Sequence, residues 1–217
     1  MKKLSDADVF IICGAGMEPF IGKVARRYPA VKVVTLSDGI QLIEGSDKIG
    51  VNGHLWVSIT NAIGQVINLG RAMEAIDPAH KELYRVNTDA YIAKLETLRS
   101  RMLLELAPFK GSKIITFHEA FPYFAREFGL EIVAVVEREP GSEPSAKELA
   151  ETIDLIKASG IKSIFSEPQY SVIAANTISK ETGAVVYVLD PAVTGPDDPD
   201  AYLKIMETNL SVLKRAL

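Results

Sequence analysis

Short apolar runs alternate with helical patterns along the second half of the chain. The apolar runs cover Lys113–Phe117, Glu131–Val136, Ser163–Ser166 and Ala184–Leu189. The helical patterns cover about Pro122–Phe128, Ser145–Ser159, Ser171–Thr182 and Pro199–Leu217. A chain that alternates strand and helix in this way folds as a parallel sheet with helices on both faces. The pattern therefore predicts an α/β lobe at this end of the chain.

The first third of the chain carries a shorter version of the same alternation. Val9–Cys13 and Val31–Leu36 are apolar runs typical of buried strands, and the segment Pro19–Tyr28 between them has a helical pattern. Residues 37–53 are rich in turn formers, and a further helix is predicted over about Thr60–Ala75. These elements predict a second, smaller α/β lobe.

A long helix is predicted between the two lobes. Asp77-Pro78 is an N-cap followed by proline at the first helical position, and no glycine or proline interrupts the chain from there to Pro108. One helical face carries Tyr84, Tyr91, Leu95, Leu98, Met102 and Leu106. At 1.5 Å per residue the helix would be roughly 40 Å long, enough to span two lobes.

Composition narrows the class of protein. The chain has 217 residues, 47% hydrophobic and 24% charged, as in ordinary globular proteins. A net charge of -4 and a pI near 5.5 argue against a nucleic-acid partner. The single cysteine, Cys13, excludes an internal disulfide. Acidic residues interrupt the segment after Met1-Lys-Lys, so we expect no signal peptide in the chain as given, which leaves the compartment undecided.

Three residues that can ligate a metal follow predicted strands of the C-terminal lobe. His118, Glu167 and Asp190 come directly after the first, third and fourth of its apolar runs. The ends of parallel strands share one edge of the sheet, where open α/β folds bind their ligands. Imidazole and carboxylate are metal ligands, so the sequence predicts a metal site at this edge.

Each of the three residues also has a plainer interpretation. His118 could cap a strand-to-helix turn, Glu167 could be a surface carboxylate before Pro168, and Asp190 could be a turn residue. Their common position at strand ends favours the binding site, because the plainer account must treat that position as coincidence.

Two further histidines lie outside this group. His54 follows Gly53, which suggests a turn that presents the imidazole, with Trp56 anchoring the loop in a core; taken alone, His54 would be interpreted as a surface loop residue. His80 falls in the first turn of the long helix, where the helix dipole does not favour a cation, and it is interpreted as a surface residue.

The sequence lacks the complete motifs of several other functions. Gly14-Ala-Gly16 follows a strand, but Pro19 occupies the place of the third glycine of a dinucleotide-binding motif, so a tight turn is the better interpretation. The sequence has no nucleophile elbow, no P-loop and no H-E-x-x-H helix. Cys13 ends an apolar strand, which favours an inert buried thiol. No catalytic residue is assigned.

Taken in order, these segments resemble the zinc- and manganese-binding solute receptors of bacterial and archaeal ABC transporters. The resemblance runs from Leu4 to Leu217. Its pieces are Leu4–Val9 with Gly16–Phe20, Asn52–Trp56, Phe117–Phe124, Ser166–Tyr170, Val188–Pro191 and the Tyr202–Leu210 part of the last helix.

The resemblance implies two α/β lobes with parallel sheets, joined by a long helix, with a metal held in the cleft between them. The implied division is an N-terminal lobe over 1–76, a linking helix over 77–107 and a C-terminal lobe over 108–217. It implies that His54, His118 and Asp190 ligate the metal, with Glu167 as an alternate or supporting ligand. Zinc is the favoured metal and manganese is the alternative. Either metal would be transported cargo that the receptor delivers to an ABC permease in the membrane. The resemblance implies that the receptor is extracytoplasmic and is not an enzyme.

Two departures from the family pattern qualify this expectation. Asn52-Gly53 stands where relatives usually carry Asp-Pro before the histidine. Relatives also place another histidine ligand upstream of the segment that begins here near Leu4, so we expect an incomplete N-terminal lobe, an open coordination position and weakened metal affinity. An exposed edge of that lobe would allow two copies to pair. The alternatives are a metal-dependent hydrolase using the same His/His/Asp site and a metal-free α/β interaction module.

Overall fold

Each predicted lobe contains its own parallel sheet. The computed structural model describes residues 6–45, 50–136, 144–169 and 172–217. The chain divides into two units, residues 1–96 and 97–217. Leu4, Ser5, Tyr170 and Ser171, which belong to predicted motifs or elements, lie outside the described residues. The finer division into 1–76, 77–107 and 108–217 stays a prediction.

The first unit begins with a two-stranded sheet. Strands β1 (Val9–Ile12) and β2 (Lys32–Thr35) pair in parallel, and helix α1 (Ile21–Arg27) connects them. A 3-10 turn at Leu55–Val57 then leads into helix α2 (Ile59–Ile76). Leu55 and Val57 are fully buried, whereas Trp56 is only partly buried. Leu55 and Val57 thus anchor this segment more deeply than the predicted anchor, Trp56.

Helix α3 (Lys81–Leu106) is the predicted long helix and joins the two units. Its 26 residues correspond to about 39 Å. Leu95, Leu98, Met102 and Leu106 are buried, which confirms the predicted face. Asp77 begins a separate 3-10 turn, Pro78–His80, before the helix, and its carboxylate accepts hydrogen bonds from His80 and Tyr84.

The second unit contains a four-stranded parallel sheet. Its strands are β3 (Lys113–Thr116), β4 (Glu131–Val135), β5 (Ser163–Ser166) and β6 (Val185–Val188), in the order β4-β3-β5-β6. Its helices after α3 are α4 (Pro122–Phe128), α5 (Ala146–Ser159), α6 (Val172–Thr182) and α7 (Ala201–Ala216). All these elements match the predicted order, with ends that differ by at most two residues.

Local chemistry explains both ends of α5. Ser145 and Glu148 form a capping box at the start of α5, and Gly160, with φ of 67°, ends that helix. Helix α7 begins two residues after the predicted Pro199, with Asp200 at the N-cap, and Asp198 accepts the backbone N–H of Asp200.

Buried apolar residues hold the second sheet against α5 and α6. One cluster joins Ile115 and Ile164 of the central strands to Ile156 of α5 and Ile178 of α6. Ion pairs add contacts elsewhere in the unit: Arg101 and Glu105 of α3 bind Glu207 and Lys214 of α7. Among the described helices, none combines the length and the apolar character that spanning a bilayer requires.

Candidate metal centre

The strand order of the second unit creates a switch point between β3 and β5. From β3 the chain crosses to β4 on one side, then passes back over β3 to β5 and continues outward to β6. The connection after β3 leads to β4 and the connection after β5 leads to β6, so the two right-handed crossovers run in opposite directions. The segments that follow β3 and β5 therefore diverge at the carboxyl ends of these strands. Ligands of open α/β sheets bind in the crevice at this point. His118 follows β3 and Glu167 follows β5, so both lie at the switch point.

His118 and Glu167 are in direct contact. The Nδ1 atom of His118 lies 3.3 Å from Oε2 of Glu167, and their side chains are 12% and 2% exposed. An ionised carboxylate only accepts hydrogen bonds, so the proton of a neutral imidazole lies on Nδ1 and the lone pair on Nε2. A carboxylate that binds one imidazole nitrogen in this way orients histidine ligands in many metal sites.

The second oxygen of Glu167 is an unsatisfied buried acceptor. Within the described residues, neither Oε1 of Glu167 nor Oγ1 of Thr116 on β3 has a hydrogen-bond partner. Leaving a buried carboxylate oxygen without a partner is costly, and a cation would remove that cost. The donor set at this strand end therefore suits a metal ion.

Asp190 follows β6 and is held through its backbone. Its N–H donates to Oδ1 of Asn209 at 2.9 Å, and its carbonyl accepts from Nδ2 of Asn209 at 2.7 Å. Its own Oδ1 accepts the N–H of Ala192 at 2.8 Å. The residue also lines a cavity with Lys204 and Thr208. Asp190 is thus a half-buried carboxylate on a well-anchored turn.

His54 lies in a short, tightly packed loop of the first unit. Its backbone N–H and its Nδ1 atom both face Oδ1 of Asn52, at 2.9 and 3.2 Å. Its ring packs against Trp56, with ring centres 5.5 Å apart. Asn52 is 5% exposed, so the histidine is supported by a buried amide. Asn52 and His54 thus form a tight local turn, and the presentation of this imidazole to a ligand stays a prediction.

The turn after β1 packs beside this histidine loop. Glu18 accepts the backbone N–H groups of Cys13 and Gly14, at 2.8 and 3.0 Å. Gly14 adopts a φ of 82°, and a side chain there would collide with Ser37. A Cβ atom on Gly53 would lie 2.4 Å from the sulfur of Met17. Gly16 also adopts a positive φ, of 85°, so the paired glycines Gly14 and Gly16 form a tight turn, as predicted.

The only cysteine lies at the start of the same turn. Its Sγ accepts a hydrogen bond from Nε2 of Gln65 at 3.3 Å. Burial raises the pKa of the Cys13 thiol, which keeps it protonated at neutral pH. This agrees with the predicted inert thiol, although Cys13 is only partly buried.

The structure brings two of the predicted site residues, His118 and Glu167, into direct contact. His118 and Glu167 touch, whereas the described residues contain no group of three or more His, Cys, Asp or Glu side chains placed to hold a metal. His80 is exposed, as predicted, and is bonded to Asp77. The sequence analysis did not predict that Asn52 and Asn209 support site residues. For Asn209, a usable sequence signal was its position as an amide on the apolar face of α7, beside Met206 and Leu210.

A family model described as "ZnuA: Zinc-uptake complex component A periplasmic" matches residues 1–216. Zinc-binding lipoprotein AdcA of Streptococcus pneumoniae strain R6 is 34% identical over 234 residues, which cover 99% of this chain and 47% of that protein. High-affinity zinc uptake system protein ZnuA of Bacillus subtilis is 30% identical over 236 residues, covering 100% and 74%. The chain thus spans about half the length of AdcA.

Solved structures show the same fold. A crystal structure of ZnuA matches with a TM-score of 0.85 and 29% identity, covering 99% of this chain and 81% of that one. The binding protein FpvC of Pseudomonas aeruginosa, solved with Mn²⁺, matches with a TM-score of 0.88, 32% identity and the same coverage. Together with the family match, these similarities confirm the two-lobed α/β architecture joined by a long helix, and the chain belongs to the family of zinc-uptake complex component A, ZnuA.

Proposed function

We propose that this chain binds a divalent transition-metal ion and delivers it to an ABC importer. The observation that carries the proposal is the His118–Glu167 contact at the switch point of the second sheet, with one buried oxygen of Glu167 still lacking a partner among the described residues. A purely structural pair is expected to have partners for both carboxylate oxygens. A cation-binding pair is expected to leave a donor atom for the ion.

The proposed ligands are His54, His118 and Asp190, with Glu167 as a supporting or alternate ligand. Both histidines have a hydrogen-bond acceptor at Nδ1, the arrangement in which Nε2 of a neutral imidazole carries the lone pair. Asp190 adds a carboxylate on an anchored turn. The ligand assignment, like the division into residues 1–76, 77–107 and 108–217, is an expectation from the sequence that this proposal keeps.

Zinc is the proposed cargo, ahead of manganese. Imidazole nitrogen favours zinc, whereas manganese prefers sites rich in oxygen donors. AdcA and ZnuA, named above, are zinc-binding or zinc-uptake proteins, while FpvC has been crystallised with Mn²⁺ and with Ni²⁺. We therefore propose that the site prefers zinc to manganese but does not exclude manganese.

A role as receptor is favoured over a role as metal hydrolase. The family and the relatives named above are binding and uptake proteins, and no catalytic side chain is needed to explain the site. The proposal therefore assigns no chemical step to this chain. The metal-free interaction module is disfavoured by the buried, unsatisfied carboxylate oxygen of Glu167.

The proposed location is outside the cytoplasm, beside a membrane permease. The family description is periplasmic, and AdcA is a lipoprotein. Pairing of two copies through the first unit is a further proposal, supported by exposed Ile11 and Val33 on its two-stranded sheet. A sedimentation experiment over a range of concentrations tests it, and a monomer throughout that range contradicts it.

Zinc-dependent thermal stabilisation tests the proposed function. A ligand that binds only the folded state raises its stability by RT ln(1 + [L]/Kd), so zinc should raise the melting temperature of the wild type. His118→Ala should abolish most of this shift. His80→Ala is the matched control, because His80 is an exposed histidine that is not a proposed ligand. This variant should respond to zinc like the wild type.

A second pair of variants separates the role of Glu167 from a general effect of losing a buried acid. Glu167→Gln should lower zinc affinity by about tenfold or more, since loss of a carboxylate behind a histidine ligand typically has that effect. Glu127→Gln removes another buried carboxylate of the same unit, one paired with Arg99, and should leave affinity unchanged. Absence of any zinc response in the folded wild type would overturn the proposal.

A further inference from the structure

Asn52 is the residue that controls how His54 can act as a ligand. Its side chain is 5% exposed and contacts His54 twice, through the backbone N–H and through the ring. Asn52 is not one of the proposed ligands, so its role would be to position the His54 side chain. Because it acts on a proposed ligand, this inference rests on the proposed function.

The backbone contact fixes which way the Asn52 amide points. A backbone N–H only donates, so the atom 2.9 Å from the N–H of His54 must be the amide oxygen and not its nitrogen. The same oxygen lies 3.2 Å from Nδ1 of His54. That ring nitrogen must therefore carry the proton, and the lone pair of the neutral ring is on Nε2.

The amide is itself held in place by the loop around it. The N–H of Asn52 donates to the carbonyl of Ile43 at 2.8 Å. Gly53 packs against the Met17 side chain, and fully buried Leu55 follows His54. Because the backbone on both sides is anchored, the Asn52 oxygen defines the orientation of the ring and does not merely follow it.

The two histidines have supports of different charge. Nδ1 of His118 faces the carboxylate of Glu167, whereas Nδ1 of His54 faces a neutral amide. A buried anion at Nδ1 makes the imidazole more basic and a stronger metal donor, and a neutral oxygen does so far less. The chain has therefore one strongly supported and one weakly supported imidazole.

We propose that Asn52 holds His54 in the Nδ1–H tautomer and, by being neutral, makes His54 the weaker of the two imidazole donors. The consequence is a His54 whose lone pair is on Nε2 but whose strength as a metal donor is moderate. Exchange of this one amide for a carboxylate should then tighten metal binding, although it changes no ligand and hardly changes side-chain volume.

Three variants test this proposal on the full chain. Asn52→Leu removes the acceptor at similar volume, and Asn52→Asp keeps the acceptor and adds the charge. Asn61→Asp is the control: it makes the same charge change at another buried asparagine of the first unit, in the first turn of α2, where a helix N-terminus favours a carboxylate. Unfolding curves identify any variant that fails to fold.

The first measurement needs no metal. Nitrogen-15 NMR of the histidine rings in the metal-free protein distinguishes the two tautomers of His54. The wild type and Asn52→Asp should show the proton on Nδ1, and Asn52→Leu should show the other tautomer or a mixture. A folded Asn52→Leu variant whose His54 keeps Nδ1–H as completely as the wild type would overturn the positioning role.

The second measurement is zinc affinity by competition with a chromophoric chelator, at a pH where free imidazole is neutral. Asn52→Asp should bind zinc about tenfold more tightly than the wild type, and Asn52→Leu about tenfold more weakly. Asn61→Asp should match the wild type; an equal gain in both Asp variants would show a general charge effect and overturn the donor-strength claim. If no protein in the series binds zinc, the proposed function fails, while the tautomer result still decides the role of Asn52.

Discussion

The backbone of Asp190 and the side chain of Asn209 make two reciprocal hydrogen bonds. The amide oxygen of Asn209 accepts the N–H of Asp190 at 2.9 Å, and the amide nitrogen donates to the Asp190 carbonyl at 2.7 Å. Asn209 lies on the buried face of α7, with 1% of its surface exposed. One side chain thus ties the turn after β6 to the last helix and positions the Asp190 carboxylate.

Replacing this amide should destabilise the protein. Asn209→Leu leaves the N–H and carbonyl of Asp190 without their partner, and we expect a loss of about 3 kcal/mol in the free energy of unfolding. Urea unfolding measures this loss, and zinc affinity should fall in the same variant. Ser211→Ala, at an exposed position of the same helix, should stay within about 0.5 kcal/mol of the wild type. An equal effect of the two substitutions would contradict the role of Asn209.

The Asp190 carboxylate should matter for metal binding more than for folding. Asp190→Ala removes one hydrogen bond to the N–H of Ala192 but keeps both bonds to Asn209, so we expect a destabilisation of only about 1 kcal/mol together with a large loss of zinc affinity. Isothermal titration calorimetry measures the affinity.

Asp198 provides a matched control for this prediction. It also precedes a proline, and its Oδ1 also accepts the N–H of the residue two positions later. Asp198→Ala should therefore remove a similar turn bond, and its ion pair with Lys204, without changing zinc affinity. Equal affinities of the two alanine variants would count against Asp190 as a ligand.

Gly70 allows α2 and α3 to approach closely. A Cβ atom at this position would lie 2.4 Å from Oγ1 of Thr88 and 2.9 Å from its Cγ2 atom. The side chain of threonine is stiff at its first torsion angle, so Gly70→Ala should force a backbone shift and cost about 1–2 kcal/mol despite the better helix propensity of alanine.

A double-mutant cycle checks this explanation. Thr88→Ala in the Gly70→Ala background should recover most of the lost stability, because it removes the atoms that clash. Gly22→Ala is the control, since that helical glycine is exposed and a side chain there meets only the end of Arg26 at 3.6 Å; it should stabilise α1 by up to about 1 kcal/mol. Purely additive effects at positions 70 and 88 would contradict the proposed clash.

The turn between α2 and α3 should show a pH dependence at acidic pH. The hydrogen bond from His80, followed by that from Tyr84, holds the pKa of Asp77 below its usual value of 3.8. A carboxyl whose folded-state pKa is lowered contributes stability above the unfolded pKa and loses it as pH falls through the folded pKa. The contribution should therefore be present above pH 3.8 and disappear below it.

Comparison with Asp77→Asn isolates this contribution. The wild type should have the higher melting temperature above pH 3.8, and the difference should vanish as the pH is lowered further. In a His80→Ala background the difference should shrink, because the bond from His80 is the main cause of the lowered pKa. A difference that persists unchanged at the lowest pH would exclude ionisation of Asp77 as its source.

The order of the strands and helices could be predicted from the sequence because it depends on local patterns. Apolar runs located the six strands found among the described residues, and the helical pattern from Ser145 placed the start of α5 within one residue of Ala146. The predicted start of α7 at Pro199 was two residues early: Asp198 and Asp200 can both precede a helix, and Asp200 occupies the N-cap. Trp56 was predicted to anchor its loop, whereas the fully buried residues are Leu55 and Val57 on either side of it.

By itself, the sequence determined the α/β alternation, the long helix and the residue types available for a site, since each follows from neighbours a few positions apart. Only the tertiary structure decided which side chains meet. The pairing of β3 with β5 brings Glu167 to His118 across 49 positions of the chain, and the packing of α7 brings Asn209 to Asp190 across 19. Such contacts depend on strand order and helix packing, which arise from the burial of the whole core and not from any local run of residues.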